Sequence, residues 1–327
     1  MRFIYFTDSH FKSTGPASRS DDFFKAGLVK LQWLIEYARK NDIKIILHGG
    51  DFFDNARPGF STATPIAAII AVASEIDFYI NVGNHDLYGW NPETFERTVL
   101  CMLSLLPNVH ILPDNGITLI NDDKAEKHIA VHSIWSKYDR EGDPTVFRFL
   151  KPELPVFKIT MAHTMLVERS FFGAYVPMEQ IEWGQAADLI LGSHYHPGWE
   201  TKRKFTSAGE IYLAHPGSFM RIMKSVEQRL PHILDITIDD KTPNIKMVPV
   251  EVAGYWPFKE DAEVIEEKDA LYGPLFENFL EKLLSSSVDA SAFDPRTIAT
   301  AIAAEHEIPE GALKRVIRNL DAVAKER

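Results

Sequence analysis

The sequence predicts an α/β fold: two β-sheets packed as a sandwich, flanked by helices, with a small helical appendage at the C-terminus. Three observations predict it. Over residues 1–106, short apolar runs alternate with amphipathic stretches, the order that builds a largely parallel sheet with helices outside it. From residue 109 the apolar runs come closer together, separated by turn signals such as Asp114-Asn115-Gly116 and Asn121-Asp122-Asp123, as expected for a second sheet. Beyond residue 253 the composition turns acidic and then helical.

Taken in order, Arg2–Phe6 reads as a buried strand. Residues 21–40 place Phe24, Leu28, Leu31, Leu34, Ile35 and Ala38 at helical spacing. Ile43–Leu47 reads as a strand, 62–75 as a helix and Phe78–Val82 as a third strand. Residues 92–106 read as one more helix, opened by Pro92, where a missing N–H costs nothing. Short strands follow at Val109–Leu112, Ile117–Ile120, His128–Ile134, Val156–Met161, Asp188–Leu191, Ile211–Ala214 and Ile233–Ile238, with Ile245–Val250 as a hairpin partner. Gly254-Tyr255-Trp256-Pro257 reads as a linker, and Glu260–Asp269 is an acidic run. Three helix candidates close the chain, the last with Leu313, Val316, Ile317, Leu320 and Val323 on one face. The expected division is therefore 1–253 for the body and 254–327 for a linker plus a helical region that either caps the body or docks a partner.

Composition narrows the class. With 327 residues, 45% hydrophobic and 25% charged, the chain can bury a large core as an ordinary globular protein. Its net charge of -11 works against non-specific adhesion to nucleic acid, although bound cations in a cleft reverse the sign locally. One cysteine, Cys101, excludes an intrachain disulfide and suits a reducing compartment; its apolar setting reads as core. The N-terminus is too soon polar for a signal peptide, and no apolar run approaches the roughly 18 residues of a membrane span. A cytoplasmic protein with no membrane contact is expected.

The chemistry sits at strand ends. Asp8 and His10 directly follow the first strand, and residues two apart in an extended segment point the same way. Asp51 follows the second strand through His48-Gly49-Gly50; the glycines allow a sharp turn, and a carboxylate there has two oxygens with which to bridge two cations. Read alone, it is also an ordinary turn aspartate, and His48 reads as structural. Gly83-Asn84-His85-Asp86 follows the third strand. Asn84 offers an amide oxygen to a metal, His85 suits a proton donor, and Asp86 suits a carboxylate that holds the His85 tautomer. His163 follows another strand, and His194 and His196 stand two apart after the next. His215, before Pro216-Gly217, borders the same ends. This inventory is that of a two-metal site, which points to phosphate-ester hydrolysis. Mixed oxygen and imidazole donors suit manganese, with iron or zinc as alternatives.

The ordered motifs Asp8-x-His10, Gly50-Asp51, Gly83-Asn84-His85-Asp86, His163 and Gly192-x-His194-x-His196 resemble the calcineurin-like metallophosphoesterase superfamily over roughly residues 1–220. The resemblance implies one ion held by Asp8, His10, Asp51 and His196, and another by Asp51, Asn84, His163 and His194. It implies that His85 acts near the substrate phosphate as acid or charge stabiliser, and with Asp86 as its expected holder these two are the candidate catalytic residues. Residues 19–40, the run Gly50–Asp54, Arg57-Pro58 and Pro216-Gly217-Ser218 are further similar to SbcD-type nuclease subunits. These pair with an SMC-like, SbcC-like ATPase in double-strand-break repair, and usually carry a longer region after the nuclease core. This narrower likeness implies a DNA exo- or endonuclease in repair or recombination. It makes DNA and such an ATPase the expected partners, the latter through residues 308–327, and is compatible with a homodimer. A phosphodiesterase or phosphatase for a small nucleotide or other phosphoester is the alternative. Lys12, Arg19, Arg57 and Arg169 are the candidate phosphate contacts.

Overall fold

The computed structural model describes residues 1–258 apart from 123–126, 169–174, 208, 223–228, 240–241 and 254–256. The expected helical tail, its docking segment 308–327 and Arg169 lie outside the described residues. Met1–Lys259 form one compact unit.

The strands are β1 (Arg2–Phe6), β2 (Ile45–His48), β3 (Asp77–Ile80), β4 (Val109–Ile111), β5 (Gly116–Asp122), β6 (Lys127–Ile134), β7 (Phe157–Val167), β8 (Val176–Pro177), β9 (Leu189–Ser193), β10 (Trp199–Thr206), β11 (Gly209–His215), β12 (His232–Asp239) and β13 (Thr242–Pro249). The helices are α1 (Phe23–Lys40), α2 (Phe60–Val72) and α3 (Val99–Leu103). One sheet runs β13-β12-β1-β2-β3-β4 and the other β10-β11-β9-β7-β6-β5, with β8 beside β7. β1 to β4 are mutually parallel, as the alternating order requires. The last hairpin does not extend the second sheet. β12 returns to the first and pairs antiparallel with β1, Phe3 opposite Ile236.

Strand alternation builds two cores from one strand. Phe3 and Tyr5 of β1 face the second sheet, with Ile159, Met161, Leu189 and Leu191. Ile4 and Phe6 face the other way, into a core with Leu31, Leu34 and Ile35 of α1 and Ile66 and Ile70 of α2. Helix α1 starts where the Asp22 side chain accepts from the Lys25 N–H (3.0 Å), and Arg39 and Lys40 sit at its negative end.

Several expectations are corrected. The helix over 92–106 is two pieces: a 3-10 turn at Pro92–Arg97, then α3, because Thr98 adopts an extended backbone and caps the Cys101 N–H. Cys101 is only half-buried. The outer face of the second sheet is covered by short 3-10 turns such as Pro144–Phe147 and Met178–Gln180, and no α-helix among the described residues covers it. β10 was not anticipated; its WETKRKFT sequence has one buried residue and lies at a sheet edge, so it carries no apolar alternation. Finally, Pro257 and Phe258 lie on the body: Ser20 donates from N–H and hydroxyl to the Pro257 carbonyl, and Phe258 is buried beside Arg19.

Candidate metal centre

The parallel strands β1, β2 and β3 end side by side, and their loops are laced by the backbone. The Asp8 N–H donates to the Gly50 carbonyl (3.1 Å) and the His10 N–H to the Asp51 carbonyl (3.0 Å). β1 stops at Phe6, so Asp8 and His10 do not converge by strand alternation. They converge because both take left-handed backbone, with φ of 52° and 41°. Asp51 (φ 55°) and His194 (φ 67°) do the same. Such conformations cost L residues about 1–2 kcal/mol each, so the surrounding fold imposes them. Two glycines make room. A Cβ on Gly83 would stand 2.1 Å from Asp51 Oδ1, and Gly50, at φ 111°, would carry one 2.4 Å from His163 Nδ1.

From the second sheet, His163 lies in β7 where its pairing with β9 breaks register between Ala162 and Met165. His194 follows β9, and its backbone N–H donates to both Asp8 oxygens (3.1 Å each), joining the sheets. Asp8, Asp51, His163 and His194 each bring a ligand atom within 4.8 Å of the others; so do Asp8, His10 and His196, and so do His10, Asp51 and His85. The resemblance assigns Asp8 to one ion and Asp51 to both. Here Asp8 and Asp51 each belong to two donor groups.

The residues fit a cation. His163 Nδ1 lies 3.0 Å from the Gly49 carbonyl, which can only accept, so Nδ1 carries the proton. In the neutral ring Nε2 then presents a lone pair, and it faces Asp51 Oδ2 at 3.3 Å. Two electron-rich atoms face each other. Asp51 Oδ2, His163 Nε2 and Asn84 Oδ1 are all buried without a hydrogen bond, a costly state unless a cation fills it. Without one, the fold recruits a proton: burial opposes the charged form of His163, but the Asp51 carboxylate pushes its pKa up to about 10. Asp51 is held well below the usual carboxylate range, against its burial, by His163 and His10. Burial, then His163, drives His194 down to about 3. His10 Nε2 and His196 Nε2 face each other at 3.0 Å.

His85 stands partly exposed at the edge of the cluster. Its N–H donates to Asp51 Oδ1 (2.8 Å), and its Nδ1 donates to the Asp54 carbonyl (2.8 Å), leaving Nε2 for a substrate. The expected tautomer holder, Asp86, does not touch the ring. Its carboxylate is buried and accepts from the N–H groups of Phe52 (3.2 Å), Phe53 (3.0 Å) and Gly83 (3.0 Å). Burial and Asp51 push it up to about 7, while those three donors favour the charged form. Asp86 therefore pins two site loops together instead of holding the His85 ring. Sequence reasoning missed Asp54, whose carbonyl fixes His85 and whose carboxylate faces His10 Nδ1 (3.5 Å) and Lys12 (3.0 Å). Its signal was present as the second aspartate of Gly50-Asp51-Phe52-Phe53-Asp54. His48 is structural: Nδ1 accepts from Gly50 (3.2 Å) and Nε2 donates to Ser9 (3.0 Å). His215 is fully buried, with Nδ1 accepting from Gly217 (3.1 Å).

Among the described residues the cationic rim is smaller than expected. Lys12 is beside the site but bound to Asp54. Arg57 is exposed on the wall of a pocket shared with Asn84 and His85. Arg19 is turned into the body. It is 5% exposed, bonded to Asp21 and the Arg221 carbonyl, and its guanidinium lies 5.1 Å from the Phe23 ring centre and 5.6 Å from that of Phe258.

A family model described as calcineurin-like phosphoesterase matches residues 1–198, a span that holds all the candidate ligands. Among solved structures, the chain is similar to the protein TT1561 of Thermus thermophilus, with 13% identity over 76% of this chain and 98% of that one and a TM-score of 0.46. It is similar also to a dimetal phosphatase from Danio rerio, with 9% identity over 76% and 96% and a TM-score of 0.49. No curated protein sequence matches it.

Proposed function

The chain belongs to the calcineurin-like phosphoesterase family, and we propose that within it the protein is a two-metal phosphodiesterase of SbcD type that cuts DNA. Family membership and the clustered Asp and His donors make it a metal-dependent phosphoester hydrolase. The observation that carries the two-metal reading is the position of Asp51 Oδ2, buried, without a hydrogen bond and facing His163 Nε2 at 3.3 Å and His10 Nε2 at 3.6 Å from opposite donor groups. The nuclease reading is supported by the likeness of residues 19–58 to SbcD-type subunits and by a site that opens sideways onto a pocket.

Asp8, His10, Asp51 and His196 would hold one ion and Asp51, Asn84, His163 and His194 the other, with manganese as the favoured metal. When bound, the pair supplies Lewis acidity that activates water and offsets charge on the phosphate. The chain does the rest. Asp51 orients His85 through the His85 N–H, and the Asp54 carbonyl fixes its Nδ1 proton. In the imidazolium form His85 presents Nε2–H to the phosphate or departing oxygen, assistance worth roughly 10²–10⁴ in rate. Arg57 supplies a charge at the rim for a flanking phosphate.

One observation favours a small nucleotide diester instead: Arg19 is tied into the body and the net charge is -11, which leaves little cationic surface for a polymer. The test is the purified full chain with manganese on linear duplex, single-stranded and hairpin DNA, beside bis-p-nitrophenyl phosphate. DNA cleavage supports the nuclease. Hydrolysis of the small diester with every DNA form intact overturns it in favour of the small-substrate reading.

A further inference from the structure

Beside the candidate ligands lies a pocket of about 370 Å³ whose wall carries Asn84, His85, Arg57, Tyr88 and Trp90. Nothing in the metal chemistry uses the two aromatic residues, yet both are displayed. Tyr88 is 38% exposed, and Trp90 is partly exposed. The backbone under them is unusual. Gly89 has φ 57° and Trp90 φ 60°, so a bulky side chain is held where L residues rarely sit. The segment is tied down. The Tyr88 N–H donates to Thr94 Oγ1 (3.0 Å), and the Thr94 hydroxyl donates to the Asn91 carbonyl (2.7 Å). The Arg97 guanidinium lies 5.7 Å from the Tyr88 ring centre. Trp90 stands edge-on to the candidate ligand His194, ring centres 6.4 Å apart. A strained tryptophan thus touches a candidate metal ligand and lines a pocket whose wall also includes His85.

We propose that this pocket takes the nucleobase next to the scissile phosphate, a proposal that rests on the phosphodiesterase reading of the site. The ligand class follows from the wall. Exposed aromatic rings offer stacking to any flat heteroaromatic ring, and stacking of this kind is tolerant of base identity. Arg57 in the same wall offers a charge to the sugar-phosphate side. His85, shared between pocket and ligand cluster, places the base within one nucleotide of the reacting phosphorus. A base inside a duplex has both faces covered by its neighbours, so it must leave the stack to enter such a pocket. The site therefore selects unpaired bases, as in single strands, frayed ends or small nucleotides, over intact duplex.

The test is calorimetric titration of the manganese-loaded full chain with deoxyadenosine 5′-monophosphate and with 2-deoxyribose 5-phosphate, which differ only in the base. Stacking of one base predicts that the nucleotide binds about 5- to 150-fold tighter. Trp90→Ala combined with Tyr88→Ala should bring the two ligands to parity, and Trp90→Phe should keep most of the difference. Equal affinity of the two ligands for the unaltered chain overturns the proposal, and so does an advantage that survives the double alanine variant. The readout separates the two readings. Base-dependent affinity without hydrolysis of any diester would remove the phosphodiesterase and leave the pocket. Parity in a chain that hydrolyses diesters would do the reverse.

Discussion

The two sheets meet at one site but contribute different chemistry to it. The first sheet delivers both carboxylates, Asp8 and Asp51, together with His10, Asn84 and His85, all on loops directly after β1, β2 and β3. The second delivers imidazoles alone: His163 from a register break in β7, and His194 and His196 after β9. Both carboxylates enter from one side, and the other brings imidazoles. The imidazoles of the second sheet depend on the carboxylates of the first. His163 is held up by Asp51 and His194 is driven down by burial and by His163, so the behaviour of the second sheet's histidines is set across the interface.

The largest expected effect breaks that dependence at its source. Asp51→Ala removes the oxygen that faces both donor groups and should abolish binding of both ions and all hydrolysis. His163→Ala removes a donor from one group only and should leave one ion per chain. Metal analysis of the two purified variants checks this. Two ions bound in Asp51→Ala, or none in His163→Ala, would mean that the sheets do not divide the work as the geometry has it.

Candidate ligands from both sheets were legible in the sequence, because all of them stand just after apolar runs. First-sheet ligands follow apolar runs at once, and Gly83-Asn84-His85-Asp86 is a dense signal, so the loops after β1, β2 and β3 were readable. What was not readable was the reason they converge. Asp8 and His10 meet through left-handed backbone, which propensity does not encode for Asp and His as it does for Gly. By type and position Asp86 looks catalytic and Arg19 looks like a phosphate contact, but their partners are fixed by tertiary contacts: three backbone donors for one, a carboxylate, a carbonyl and two phenyl rings for the other. The helix over 92–106 failed at Thr98, a good cap at the head of an apolar stretch. Edge strand β10 failed because an edge needs few apolar residues.

A smaller effect separates chemistry from metal binding within the first sheet. His85→Ala should retain both ions, because its Nδ1 is engaged by the Asp54 carbonyl and the other donors remain. It should lose about 10²–10⁴ in rate. Loss of metal in step with rate would place His85 among the ligands and redraw the division. Smaller again is Arg19→Ala. Its side chain is bonded inside the body, so stability should fall by about 1–3 kcal/mol in urea unfolding. KM for a small diester should not move. A raised KM at unchanged stability would return Arg19 to the substrate rim.

The last prediction uses the second sheet as its own control. His132 lies on β6, buried, on the face away from the first sheet, with Nε2 3.2 Å from Asn115 Oδ1 and its ring beside Phe149. Among the described residues no carboxylate pairs with it as Asp51 pairs with His163; the nearby Asp114 is engaged by Arg140. Burial, then Arg140, lowers the His132 pKa from 6.5 to about 4, against a weaker opposing pull from Asp114. Above pH 6.5 both folded and unfolded chains keep this ring neutral, and its contribution to stability is complete. Between about pH 6.5 and 4 the unfolded chain takes up a proton that the folded chain refuses, so stability falls as pH falls through this window and levels off below it. Other buried histidines add slopes of the same sign, His194 among them, so the difference between the unaltered chain and His132→Gln isolates one ring. Urea unfolding at pH 7 and pH 4.5 should show the unaltered chain losing about 1–3 kcal/mol more than the variant. An equal loss in both would mean that His132 accepts its proton in place. The contrast between a compensated and an uncompensated histidine of the same sheet would then disappear.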